Sequence, residues 1–166
     1  MGEEKLLVRK AKKGDVEAFG QLYEEVYKDL YHFALYLLNH AQDAEDIVAE
    51  TVLDAYRSIG NLKKEESFRA WIFKILSNKC RMKRKEYLNK EMELDSEMEG
   101  VTRNFEETGD LQIAMSYLEE EERLIINLLV IAGYKSKEVA EMLHMNANTV
   151  RSKQSRAYEK LRKWLV

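Results

Sequence analysis

Residues 136–157 read SKEVAEMLHMNANTVRSKQSRA. Ser136 is placed to cap a short helix that carries Val139, Ala140 and Leu143 on its inner side. His144-Met145 makes a tight turn, Asn146 offers a second cap, and a longer helix runs on to Trp164. On that helix Val150, Ala157, Leu161 and Trp164 form the stripe expected to be buried. The helical period then gathers Asn148, Arg151, Ser152 and Ser155 on the opposite face, with Lys153, Arg156 and Lys160 beside it. Two helices joined by a short turn form a helix-turn-helix pattern. A face of arginine and short polar side chains fits a DNA major groove, where arginine reads guanine; charge alone would favour a solvated helix surface, and the preceding turn reverses that preference.

The rest of the chain agrees with an all-α fold. Its 166 residues contain no proline and seven glycines, and 34% charged with 45% hydrophobic residues is the composition of amphipathic helices. The single cysteine, Cys80, excludes an intramolecular disulfide, and without a signal-peptide pattern the expected compartment is a reducing cytoplasm. The longest apolar run, Leu124 to Ala132 with Asn127 inside it, is too short to cross a bilayer, so no membrane insertion is expected and a buried helix is.

Charge is segregated along the chain. The formal sum is −3, from 27 basic and 30 acidic residues, but screening within about 8 Å lets a local basic face act independently of distant acids. Lys79, Arg81, Lys83, Arg84, Lys85 and Lys90 cluster against Glu86 alone. Residues 91–110 then carry eight acids and one base, Arg103, with Gly100 and Gly109 and no sustained apolar period. That stretch reads as a flexible acidic linker between two small helical domains, 1–90 and 111–166.

In the first domain Asp15 can cap a helix whose stripe is Leu22, Val26, Leu30, Phe33 and Leu37, ending near Asn39. Asp43 begins another, with Ala44, Ile47, Val48, Thr51, Val52, Ala55, Tyr56 and Ile59 expected inward. Ser67 can cap a third, carrying Phe68, Trp71, Ile72, Ile75 and Leu76.

Four blocks in this order carry a family resemblance: GDVEAFGQLYEEVY (14–27), DAEDIVAETVLDAY (43–56), SFRAWIFKILSN (67–78) and KEVAEMLHMNANTVRSKQSRA (137–157). Together they resemble bacterial sigma factors of the extracytoplasmic-function (ECF) group. The resemblance implies a transcription initiation factor that binds core RNA polymerase and directs it to promoter DNA. Its first domain would bind the clamp coiled coil of the beta-prime subunit and the melted −10 element, and its second the −35 element and the beta flap. An anti-sigma factor is a further partner that the resemblance suggests.

Residue by residue, the resemblance places polymerase binding on Asp46, Ala49, Glu50 and Leu53, although glutamine is usual in the family where Ala49 stands. Capture of the −10 strand falls to Lys63, Lys64, Arg69, Lys74, Asn78, Lys79 and Arg81, a cationic track of the kind single strands need. Reading of the −35 element falls to Asn148, Arg151, Ser152, Lys153, Ser155, Arg156 and Lys160. Trp71 and Phe73 are expected in the core rather than against bases. The alternative is a helix-turn-helix regulator of the response-regulator type, but the chain shows no βαβ alternation for a receiver. His32, His40 and His144 lack a metal-binding spacing, and there is no P-loop or nucleophile–base constellation, so no metal, cofactor or enzymatic activity is expected.

Overall fold

Gly14, at φ +97°, turns the chain in a left-handed geometry that suits glycine, and Asp15 follows as the expected cap, its Oδ1 accepting from the Ala18 N–H at 3.1 Å. In the computed structural model, which describes residues 2–63, 67–94 and 109–165, this cap opens α2 (Val16–Leu38). A helix that the sequence reading did not assign, α1 (Gly2–Lys12), precedes it. Leu22, Val26, Leu30, Phe33 and Leu37 of α2 are all buried, as their period indicates. Asn39 ends the helix at φ 52°, its N–H donating to the Leu35 carbonyl at 2.7 Å.

The next helix, α3 (Ala41–Ser58), begins two residues before Asp43. Its cap is His40, whose Nδ1 accepts from the Asp43 N–H at 3.1 Å. Asp43 is thereby left to accept from the Tyr87 hydroxyl. Ala44, Ile47, Val48, Thr51, Ala55 and Ile59 are buried, but Tyr56, expected inward, is 40% exposed and packs edge-on against Phe19. After one 3₁₀ turn at Ile59–Asn61, Ser67 caps α4 (Phe68–Leu94) by accepting from the Ala70 N–H at 3.0 Å. Phe68, Trp71, Ile72, Phe73 and Leu76 enter the core. Residues 91–94, read as the start of the linker, continue α4. Lys64 and residues 95–108 of the linker lie outside the described residues.

The second half comprises α5 (Asp110–Ser116), α6 (Glu120–Ile126), α7 (Ser136–Leu143) and α8 (Ala147–Leu165). Between α6 and α7, residues Asn127–Ile131 continue α6 as a π segment. The cap of α7 is Lys135, not Ser136, and its N–H donates to Glu138 Oε1 at 2.9 Å. His144, at φ 56°, makes the turn, and Asn146 caps α8 by accepting from the Asn148 N–H at 2.8 Å.

Packing joins the two halves. Helix α2 lies against α1, α3 and α4 and also against α5, α6 and the π segment. One contiguous core therefore includes Leu30, Phe33 and Phe73 together with Ile125, Leu128, Tyr134, Val139 and Val150. A smaller cluster, Ala114, Met115, Leu118, Ile126, Ala157 and Leu161, holds α5, α6 and α8 together. Trp164 is a correction: it is 52% exposed and stacks flat on the exposed ring of Tyr117 at 4.0 Å, because α8 outruns the small core beneath it. Among the described residues, no helix is long and apolar enough to cross a membrane.

Asn127 is fully buried, and neither its amide oxygen nor its nitrogen has a hydrogen-bond partner. An orphaned buried amide costs about 1–3 kcal/mol, which an apolar group of similar size avoids. Asn127→Leu should therefore stabilise the chain by about 1–2 kcal/mol in urea unfolding. Destabilisation would show that the amide finds a partner in solution.

Candidate nucleic-acid interface

Helix α8 presents Asn148, Arg151, Ser152 and Ser155 as one exposed surface, opposite buried Val150, Ala157 and Leu161. Arg151 Nη1 donates to Asn148 Oδ1 at 2.8 Å, which holds the guanidinium over the first turn, where a groove-reading helix contacts base edges. Arg156 is exposed beside them and reaches the Ser152 carbonyl through Nε at 3.4 Å.

Lys153 and Lys160 sit on the flank of α8 that faces α6, and each is in an ion pair. Lys153 lies 3.7 Å from Glu121, and Lys160 donates to Glu122 Oε1 at 2.8 Å. Glu122 is only 2% exposed. Burial opposes its charge, but the Lys160 hydrogen bond, the Glu119 backbone N–H at 2.9 Å and the nearby Arg156 outweigh that and hold its carboxyl below the ordinary range. Lys160 is thus committed to closing α6 onto α8. The sequence shows only a basic helix end, and the burial of its partner is a tertiary fact.

The track expected along α4 is mixed. Lys63, Asn78 and Arg81 are exposed, and Lys74 is exposed but engaged in a contact of its own. Lys79 instead pairs with Asp54 at 2.7 Å and approaches Glu50 at 3.9 Å, and its hydrogen bond and charge keep the Asp54 carboxyl below its usual value. Arg69 points toward the second half of the chain, donating to Asp29 at 2.9 Å and to the Ala132 carbonyl at 3.0 Å. Trp71 and Phe73 are core residues, as expected. Cys80 is fully buried, and burial pushes its thiol well above the ordinary value, so it is unreactive in the folded chain.

On the outer side of α3, Asp46, Ala49, Glu50 and Leu53 are exposed together, Leu53 by 54%. Asp46 accepts from Gln42 Nε2 at 3.1 Å, and Glu50 faces Lys79. This leaves an apolar side chain at the centre of a polar rim. Two further contacts escaped the sequence reading. Lys12 of α1 donates to the Leu62 carbonyl and fixes the start of the loop before α4. Arg84 donates to Glu120 at 3.0 Å, joining the basic end of α4 to the acidic start of α6. Beside this pair lies a cleft of about 430 Å³ lined also by Arg81, Lys85, Leu88 and Met145. Both contacts span large sequence separations, so no local pattern announces them.

The Glu122 contribution is present above the unfolded carboxylate value, about 4.3, and is lost as pH falls through the lower folded value. Lys160→Met leaves the carboxylate buried without its lysine. It should cost about 1–3 kcal/mol at neutral pH, with the deficit shrinking as acidification protonates Glu122. Urea unfolding across pH reads both effects, and a pH-independent deficit would contradict this role.

Comparison with known proteins agrees with this arrangement. Residues 22–87 match the family model described as Sigma-70 region 2, and residues 109–161 match that described as Sigma-70, region 4. RNA polymerase sigma factor NccH of Alcaligenes xylosoxydans xylosoxydans is 30% identical over 93% of this chain and 90% of its own length. The ECF RNA polymerase sigma factor SigW of Bacillus subtilis is 28% identical over 95% of this chain and 94% of its own. In fold, the chain resembles the sigma factor RpoE of Bartonella quintana, solved in complex with the anti-sigma factor NepR, at TM-score 0.73 and 23% identity over 90% of this chain and 98% of that one. It also resembles CnrH, solved in complex with the cytosolic domain of CnrY, at TM-score 0.69 and 24% identity over 98% and 97%. The paired region matches and the NccH relative make the assignment: the chain belongs to the sigma-70 family of RNA polymerase sigma factors, in its ECF group.

Proposed function

We propose that this sigma factor works as a non-catalytic specificity subunit in the cytoplasm, with residues 1–90 and 111–166 as its functional domains on either side of an acidic linker. The observation that carries the reading is the combination, in one chain, of a polar-rimmed apolar face on α3, exposed cations on α4 and an arginine-bearing helix face on α8. The α3 face, with Asp46, Ala49, Glu50 and Leu53, binds the beta-prime clamp coiled coil. Lys63, Lys64, Asn78 and Arg81 follow the backbone of the melted −10 strand, with Lys74, Lys79 and Arg69 joining once they exchange their present contacts for phosphate. Asn148, Arg151, Ser152, Ser155 and Arg156 read the −35 element, and the same domain meets the beta flap. An anti-sigma factor is proposed as a regulatory partner, in line with the NepR complex of the structural relative.

Glu50→Lys with Leu53→Asp reverses a charge and removes the apolar centre of the α3 face. This double variant should lose most binding to core polymerase in a pull-down while keeping its helical circular dichroism. Full-strength binding would remove the interface from α3.

Arg151→Ala should relax base preference at one position of the upstream promoter element, at a cost of about 1–3 kcal/mol if the arginine grips guanine with both nitrogens. A binding series over single-base promoter variants, made with holoenzyme, reads the change. Unchanged preference with normal folding would assign readout to another face of α8.

A further inference from the structure

Arg69 stands in the first turn of α4, on the helix proposed to follow the −10 strand, yet its guanidinium is spent on the other half of the chain. Nε donates to the Ala132 carbonyl at 3.0 Å, and Nη2 donates to the Ile131 carbonyl. Nη2 also meets Asp29 Oδ2 at 2.9 Å, and the guanidinium carbon lies 5.0 Å from the centroid of the Phe73 ring. Asp29 and Phe73 belong to the first half, so they orient the group toward the second.

Ile131 and Ala132 close the helix formed by α6 and its π segment. The last carbonyls of a helix have no partner within it and carry the negative end of its dipole. The chain leaves at Gly133, φ +87°, where a Cβ would lie 3.9 Å from Arg69 Nε. One residue on, the Tyr134 hydroxyl donates to the Ala70 carbonyl, next to Arg69 on α4. A cation from one domain is therefore the C-terminal cap of a helix in the other. The guanidinium presents its donors in a rigid plane, and because either fork uses Nη2, it cannot grip a phosphate with two nitrogens without giving up a present partner of Nη2.

We propose that Arg69 is an autoinhibitory latch: by capping the α6–π helix it holds the two domains closed and is itself withheld from nucleic acid until they separate. The latch rests on the reading of α4 as the single-strand track. Opening exchanges carbonyl and carboxylate partners for water or phosphate, so a ligand that binds only the open form shifts the balance by its differential affinity.

The test places spin labels at Glu24→Cys and Glu159→Cys, both exposed, with Cys80 buried and unreactive. Electron-spin distance measurements on the full chain then report domain separation. The parent should give a narrow short distance, whereas Arg69→Ala and Ala132→Lys should both broaden it toward longer values. Binding of a random-sequence single-stranded oligonucleotide separates the two variants. Ala132→Lys keeps Arg69 and should bind more tightly than the parent, by roughly tenfold if about a tenth of the parent is open; Arg69→Ala opens without that gain. Asp29→Asn, a surface change, should move both readouts in the same direction as Ala132→Lys by less, and it replaces that variant if Ala132→Lys loses helical content. Unchanged distances in the opened variants overturn the latch and leave the α4 reading standing. Distances that shift while no variant binds the oligonucleotide overturn the α4 reading, and with it the withholding of Arg69.

Discussion

The fold depends on one burial: the apolar face of the α6–π helix, with Ile125 and Leu128, enters the same core as Leu30 and Phe33 of α2 and Phe73 of α4. Fully burying each such side chain is worth about 1.5–3 kcal/mol, and here that gain draws together segments nearly a hundred residues apart. Constraints follow from it. The helix must end where the first domain can satisfy its carbonyls, which is where Arg69 stands. Asn127 is carried into the interior with its amide unpaired. The π segment, Asn127–Ile131, falls on this same stretch.

Electrostatics sorts the remaining cations by what they pair with. Lys79 is drawn to Asp54, Arg84 to Glu120, Lys153 to Glu121 and Lys160 to buried Glu122. Exposed pairs of this kind contribute little stability, but they decide which basic side chains remain available for phosphate. Those on the outer surface of α8, Arg151 and Arg156, lie on a face crowded with short polar side chains. A chain with a net charge of −3 can thus present local basic surfaces, because opposite charges are segregated along it and screening confines each to its neighbourhood.

Most of this was legible in the sequence wherever the determinant is local. Asp15, Ser67 and Asn146 cap the helices they were expected to cap, because a short polar side chain and a backbone N–H a few residues on form a nearly context-free unit. The stripe of α2 is buried as its period indicates. His40 escaped notice as a cap because histidine does so only through a neutral ring nitrogen, and α1 because its apolar stretch is short and only Ala11 is buried. Trp164 misled because helical period tells which face is inward but not where the core beneath it stops. The commitments of Lys160 and Arg69 were invisible for a further reason: their partners lie 38 residues away for Lys160 and 40 to 63 for Arg69, and two of the latter are backbone carbonyls. The exposed polar and basic face of α8 was legible as a surface, whereas the availability of each cation on it is a tertiary property.

The central claim is that the two halves share a core in the unbound chain. Small-angle X-ray scattering of the monomer tests it directly. A closed chain of 166 residues should give a radius of gyration near about 15 Å and a pair-distance distribution with a single maximum. A distinctly larger radius with a second maximum, the signature of two bodies on a tether, would contradict it.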